Sequence, residues 1–177
     1  MKLSEIVVLE DATIPFLKQE IERGFPDTKK RQHATNEVQV LTLQYTPIIK
    51  NNVLRLISTT SSDNGNTHSQ VIDIKGMNFQ PPNSGNTVKI TDSKGTEHSI
   101  TPAKLNTSNV GVFCDCEDYQ MRFANLNIKN NCHIGPPPQR YVRKTTTRPP
   151  VNPMNVPGMC KHIIRITDDL KRQGILV

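Results

Sequence analysis

Cys114-Asp115-Cys116 and Cys160-Lys161-His162 are the residues whose types and spacing could do chemistry in this sequence. On an extended backbone, residues i and i+2 point to the same side, so both thiolates of the first pair can reach one ion. The second pair adds a thiolate and an imidazole at the expected start of a helix. Pro157 fixes the entry to that helix, and Gly158 is expected to let the chain turn sharply. Three sulfurs and one ring nitrogen make a closed tetrahedral set, the structural type for one zinc ion. Such a set leaves no open position for a reacting water, which speaks against catalytic zinc. Lys161 and nearby basic residues are placed to offset the one formal negative charge it carries. Cys132-His133 is a rival pair, from which Cys132 could replace one ligand to give four cysteines or another three-cysteine, one-histidine set. The bland alternative is four buried, inert cysteines. It fits poorly with Cys114 and Cys116 lying among Asp115, Glu117 and Asp118, which is not core composition. His33, His68 and His98 lie in polar surroundings and read as surface residues.

A gap of 43 residues separates the two pairs, so folded elements must bring them together. Residues 12–24 read as a helix, with Asp11 as a possible cap, Pro15 in the first turn and Ile14, Leu17 and Ile21 on one face. Gly24 and Pro26 end it, and 27–37 reads as a linker or extended arm. Strands are expected at 38–47, 53–57 and 71–74, the last two closed by a turn around Asp63-Asn64-Gly65-Asn66. A loop at 80–86 precedes a second hairpin, Val88–Ile90 with His98–Ile100. Val110–Cys114 reads as a short strand running into the first ligand pair. A helix over 118–127 follows, capped by Asp118, with Tyr119, Phe123 and Leu126 along one side. Residues 130–158 hold seven of the thirteen prolines, a density that excludes a helix or central strand. Residues 161–172 read as a final helix ended by Gly174.

The fold class expected is α+β: one mostly antiparallel sheet with an N-terminal helix, then a small zinc module carrying a Pro-rich insertion. The units are 1–37 (helix and basic arm), 38–109 (antiparallel β region) and 110–177 (zinc module). Hydrophobic residues make up 34%, aromatics 5% and Trp is absent, so a large dense core is not expected. A metal or neighbouring chains must help hold such a fold, and metal removal is expected to loosen 111–177 first. No apolar run of membrane-spanning length occurs, and Met1–Ile6 has an early acidic residue and no signal-like apolar stretch, so cytosolic residence is expected. Reduced cysteines there favour metal ligation over disulfides.

The charge is uneven. Residues 1–110 carry 12 Lys/Arg and 11 Asp/Glu, whereas 111–177 carry 10 and 5. Between Tyr119 and Arg165 lie eight basic residues and no acidic one. Such a stretch attracts polyanions or acidic surfaces; its plain alternative is a solvated loop. Arg140, Tyr141, Arg143, Lys144 and Arg148 are the candidate contacts to nucleic acid or a protein partner, with Tyr141 available for stacking.

The order C-x-C then C-x-H resembles the SWIM zinc-finger family, with Cys114, Cys116, Cys160 and His162 as the carried-over ligands. The wider string resembles SWIM-containing proteins of tailed bacteriophages, cyanophages especially. It comprises Phe113–Tyr119, Arg122-Phe123, Pro138–Lys144, Arg148–Pro153 and Pro157–His162. The likeness spans roughly residues 85–177. The long gap between the ligand pairs departs from most cellular SWIM fingers and favours the phage group. The resemblance implies a virion-associated or assembly protein of head, neck or baseplate. It would be made in the host cytoplasm and then built into the virion beside other virion proteins. For cellular SWIM domains it implies binding to DNA or proteins. Nucleic-acid binding through 119–165 is thus the alternative, and no enzyme is expected: no Gly-rich phosphate loop or Ser-His-Asp signature occurs.

Overall fold

A computed structural model of the protein describes residues 12–27, 31–62, 64–82, 84–139, 142 and 144–177. Helix α1, Ile14–Gly24, is capped by Thr13, whose hydroxyl accepts the Phe16 N–H at 3.3 Å. The expected cap, Asp11, lies outside the described residues. Ile14, Leu17 and Ile21 are buried, as their spacing requires. The arm that follows is no free linker where it is described. It makes single 3-10 turns at Arg31–His33 and Thr35–Glu37, and Gln32 is buried.

Four antiparallel strands form the main sheet: β1 (Gln39–Ile48), β2 (Val53–Ser61), β3 (Thr67–Lys75) and, after a long excursion, β7 (Val110–Cys114), in the order β1-β2-β3-β7. The expected single sheet is instead two. A three-stranded sheet, β4 (Asn78–Gln80), β5 (Val88–Thr91) and β6 (Glu97–Thr101), has the order β4-β6-β5. Gly76, at φ 71°, turns the chain out of β3 and into this second sheet. Its β5–β6 turn is tied by Asp92, whose carboxylate accepts the Lys94 and Thr96 N–H groups at 2.9 Å each.

Strands β2 and β3 run further into the Ser/Thr-rich segment than hydrophobic pattern alone predicts. Ser58, Thr60 and Gln70 are buried there but bond one another: Ser58 Oγ donates to Gln70 Oε1 at 3.0 Å, and Gln70 Nε2 to Thr60 Oγ1 at 3.0 Å. Paired polar groups cost little to bury, so the strands continue.

The expected helix over 118–127 is broken into α2 (Glu117–Arg122) and α3 (Ala124–Lys129). The cause lies in the Pro-rich stretch. Asn152 Nδ2 donates to the Arg122 carbonyl at 3.0 Å, and Phe123 turns inward to meet Phe25 edge-on at 5.8 Å. Residues 130–158 hold no helix or strand among the described residues, yet Asn152 and Val156–Gly158 near their end are buried. Helix α4, Lys161–Arg172, then lies against β3 and β7, and Gly174 ends it at φ 73°. One hydrophobic core joins α1, both sheets, α2 and α4, from Ile14 and Leu17 through Leu56, Ile72, Ile100 and Val112 to Phe123, Ile163 and Leu176. The protein is α+β. No helix among the described residues is long and apolar enough to cross a membrane.

Candidate metal centre

Strand β7 delivers the first ligand pair. Its pairing with β3 sets Cys114 directly across from Gln70, on the face that also buries Val110 and Val112. Cys116 follows on extended backbone as the N-cap of α2, and its sulfur accepts the Tyr119 N–H at 3.4 Å. The cap expected from sequence, Asp118, is displaced into the first turn, where it pairs with Arg122 and accepts from Gln32.

The second pair opens α4. Cys160 is its N-cap residue, and its side chain makes no capping bond. Gly158 does not supply a special turn, since it is not among the positive-φ glycines. It lets the backbone pass close to Phe123 and Ile21, where a Cβ would sit 2.8 and 2.9 Å from their carbons. Asn127 holds this passage by accepting the Gly158 N–H at 2.9 Å and donating to its carbonyl at 2.8 Å.

These elements bring Cys114, Cys116, Cys160 and His162 together. One ligand atom from each lies within 4.8 Å of all the others, and all four residues are buried. His162 turns its Nδ1 to the sulfurs, 3.9 Å from Cys114 Sγ. The set can hold a metal ion. Burial pushes the Cys114 and Cys160 thiols above their ordinary range. Cys116 is drawn well below it, because the Cys114 and Cys160 thiols donate to its sulfur. One sulfur of the trio therefore carries negative charge most readily, and a dication among the three favours ionisation of all.

Cys132 and His133 stay apart from this cluster. The buried Cys132 thiol points to the Asn127 carbonyl at 3.5 Å, while the His133 ring stacks on Tyr119 and shares a 3.0 Å hydrogen bond with its hydroxyl. Lys161, expected to offset the charge of the site, instead bonds Glu37 at 2.8 Å. Among the other basic residues, Arg122 is tied to Asp118 and the Val151 carbonyl, and Arg165 lies 3.9 Å from Asp169. Arg140, Tyr141 and Arg143 lie outside the described residues, and Lys144 and Arg148 are exposed.

Sequence reasoning missed the hairpin side chains next to the cluster. Ser62 Oγ is 2.8 Å from His162 Nε2. His68, expected at the surface, is partly buried against the His162 ring with centroids 4.7 Å apart. Its Nδ1 lies 3.2 Å from Asp115 Oδ1. His98 is likewise partly buried, against Asp92, and His33 against the Phe25 carbonyl. Gln70 Nε2 reaches Cys114 Sγ at 3.6 Å. A polar cleft of about 360 Å³, lined by Glu37, Ser62, His68, Cys116, Glu117 and Lys161 among others, opens beside the site. No local signal marks Ser62, His68 and Gln70, because the β2–β3 hairpin and its pairing with β7 place them. No protein-family model, curated protein or solved structure matches the chain.

Proposed function

We propose that this is a non-enzymatic structural and interaction protein whose fold is pinned by one zinc ion on Cys114, Cys116, Cys160 and His162. The observation that carries the reading is the buried four-donor cluster. Zinc–sulfur bonds of about 2.3 Å and zinc–nitrogen bonds of about 2.0–2.1 Å put the edges of a tetrahedron at roughly 3.5–3.8 Å. The 3.9 Å separation of Cys114 Sγ and His162 Nδ1 fits, and the 4.8 Å outer limit needs the donors to draw in by about 1 Å. Three sulfurs and an imidazole suit zinc better than the harder cations. Zinc on this set supplies folding energy, and four protein donors leave no open position for a hydrolytic water. Elemental analysis of the purified chain should find one zinc per molecule, and Cys160→Ser should abolish it. A wild-type chain that binds no zinc would overturn the reading.

The SWIM resemblance supports a place for this protein in a tailed-phage particle, at head, neck or baseplate, docked on other virion proteins. Mass spectrometry of purified particles tests this: the chain should be present at fixed copy number, and a chain found only free in the lysate would sink it. The nucleic-acid reading is weaker. Arg122, Lys161 and Arg165 already meet carboxylates, so the acid-free stretch is not one bare basic face. It requires affinity that falls steeply with salt.

A further inference from the structure

The β2–β3 hairpin touches both ligand pairs, although no ligand lies on it. Its turn holds Ser62 firmly: the Ser62 N–H donates to the Asn66 carbonyl at 3.0 Å, and the Ser62 carbonyl accepts the Gly65 N–H at 2.8 Å. With both backbone groups engaged, Ser62 Oγ stands in a fixed place 2.8 Å from His162 Nε2. With Nδ1 on a metal among the sulfurs, Nε2 would carry the ring proton and donate it to that oxygen. Six residues on, His68 lies against the same ring, its centroid 4.7 Å away and its plane tilted 45°. His68 is itself held by Asp115, the middle residue of the first pair, which also accepts the Ser69 N–H at 3.0 Å. The Asp115 N–H returns a bond to the Ser69 carbonyl at 3.1 Å.

We infer that Ser62 is the positioning residue that selects Nδ1 of His162 as the metal-binding atom, making the β2–β3 hairpin a third arm of the metal centre. This rests on the metal reading above. An outer partner that takes the far ring proton fixes tautomer and orientation, and its loss typically costs 10–100-fold in metal affinity. Gln70 contributes less. Its amide hydrogens already meet Thr60 and the His68 carbonyl at 3.0 and 2.8 Å, and the contact to Cys114 sulfur is the longest at 3.6 Å. A consequence is that metal binding orders a hairpin some fifty residues ahead of the first ligand, not only 111–177.

The test uses the full chain and zinc alone, titrated against a chromophoric chelator, with cobalt substitution to read the ligand field. Ser62→Ala should weaken zinc about 10–100-fold and shift the cobalt spectrum. Ser62→Thr, which keeps the hydroxyl, should stay near wild type. Hydrogen exchange with and without chelator should show residues 58–70 losing protection together with 160–163. Ser62→Ala binding as tightly as a zinc-binding wild type would overturn this inference alone. A wild type that binds no zinc would overturn it together with the reading beneath it.

Discussion

A methyl group on Gly158 would meet Phe123 and Ile21 carbons at 2.8–2.9 Å, and both side chains are fully buried. Neither can retreat without opening the core around α1. Gly158→Ala should therefore destabilise the fold by about 1–3 kcal/mol, seen as a lower denaturation midpoint at unchanged slope. The four residues that cluster were legible, because alternation along a strand and a cysteine at a helix start are local patterns. The role of Gly158 was not. A glycine before a helix reads as a turn, and only the neighbouring Phe123 and Ile21 reveal a packing demand. Ser62, His68 and Gln70 were hidden for a related reason: they are ordinary polar residues until the pairing of β2 with β3, and of β3 with β7, brings the hairpin beside sulfur and imidazole.

Among the elements, the β5–β6 hairpin has a turn built on one carboxylate. Bonding to His98, then to the Thr96 and Lys94 amides, holds Asp92 below the usual aspartate range. The folded value is thus depressed relative to the unfolded one, near about 3.9. The turn's stabilisation is present in full at neutral pH and is lost as pH falls through that range toward the lowered value. The protection factors of the Lys94 and Thr96 amides, taken against the intrinsic exchange rate at each pH, should fall below about pH 4 in the native protein, and Asp92→Asn should flatten that dependence. Strand and helix locations followed from periodicity at α1, β7 and α4. Two features did not. The strands of the β2–β3 hairpin extend on buried Ser58, Thr60 and Gln70, whose mutual bonds no hydrophobic pattern shows. The break at Phe123 is imposed by Asn152, a residue in a different part of the chain.

On the scale of the whole molecule, a lean composition still fills one continuous core, built on side chains such as Ile14, Leu17, Ile72, Phe123 and Ile163, while Leu41, Ile49 and Met154 stay exposed. Both ends of the Pro-rich excursion meet at a single side chain and its backbone. The Cys132 N–H donates to the Asn127 carbonyl at 2.9 Å, and the Asn127 amide clasps Gly158 on both sides. Among the described residues between, Ile134 is bonded to Val112 and Val151 and Asn152 to Arg122, while 144–150 are exposed. Deleting Thr145–Thr147 should leave zinc stoichiometry intact and change stability by no more than about 0.5 kcal/mol, measured by denaturant titration. A change of length in that span would then leave Cys114, Cys116, Cys160 and His162 where they stand, so the distance between the two motifs along the sequence does not set their distance in space.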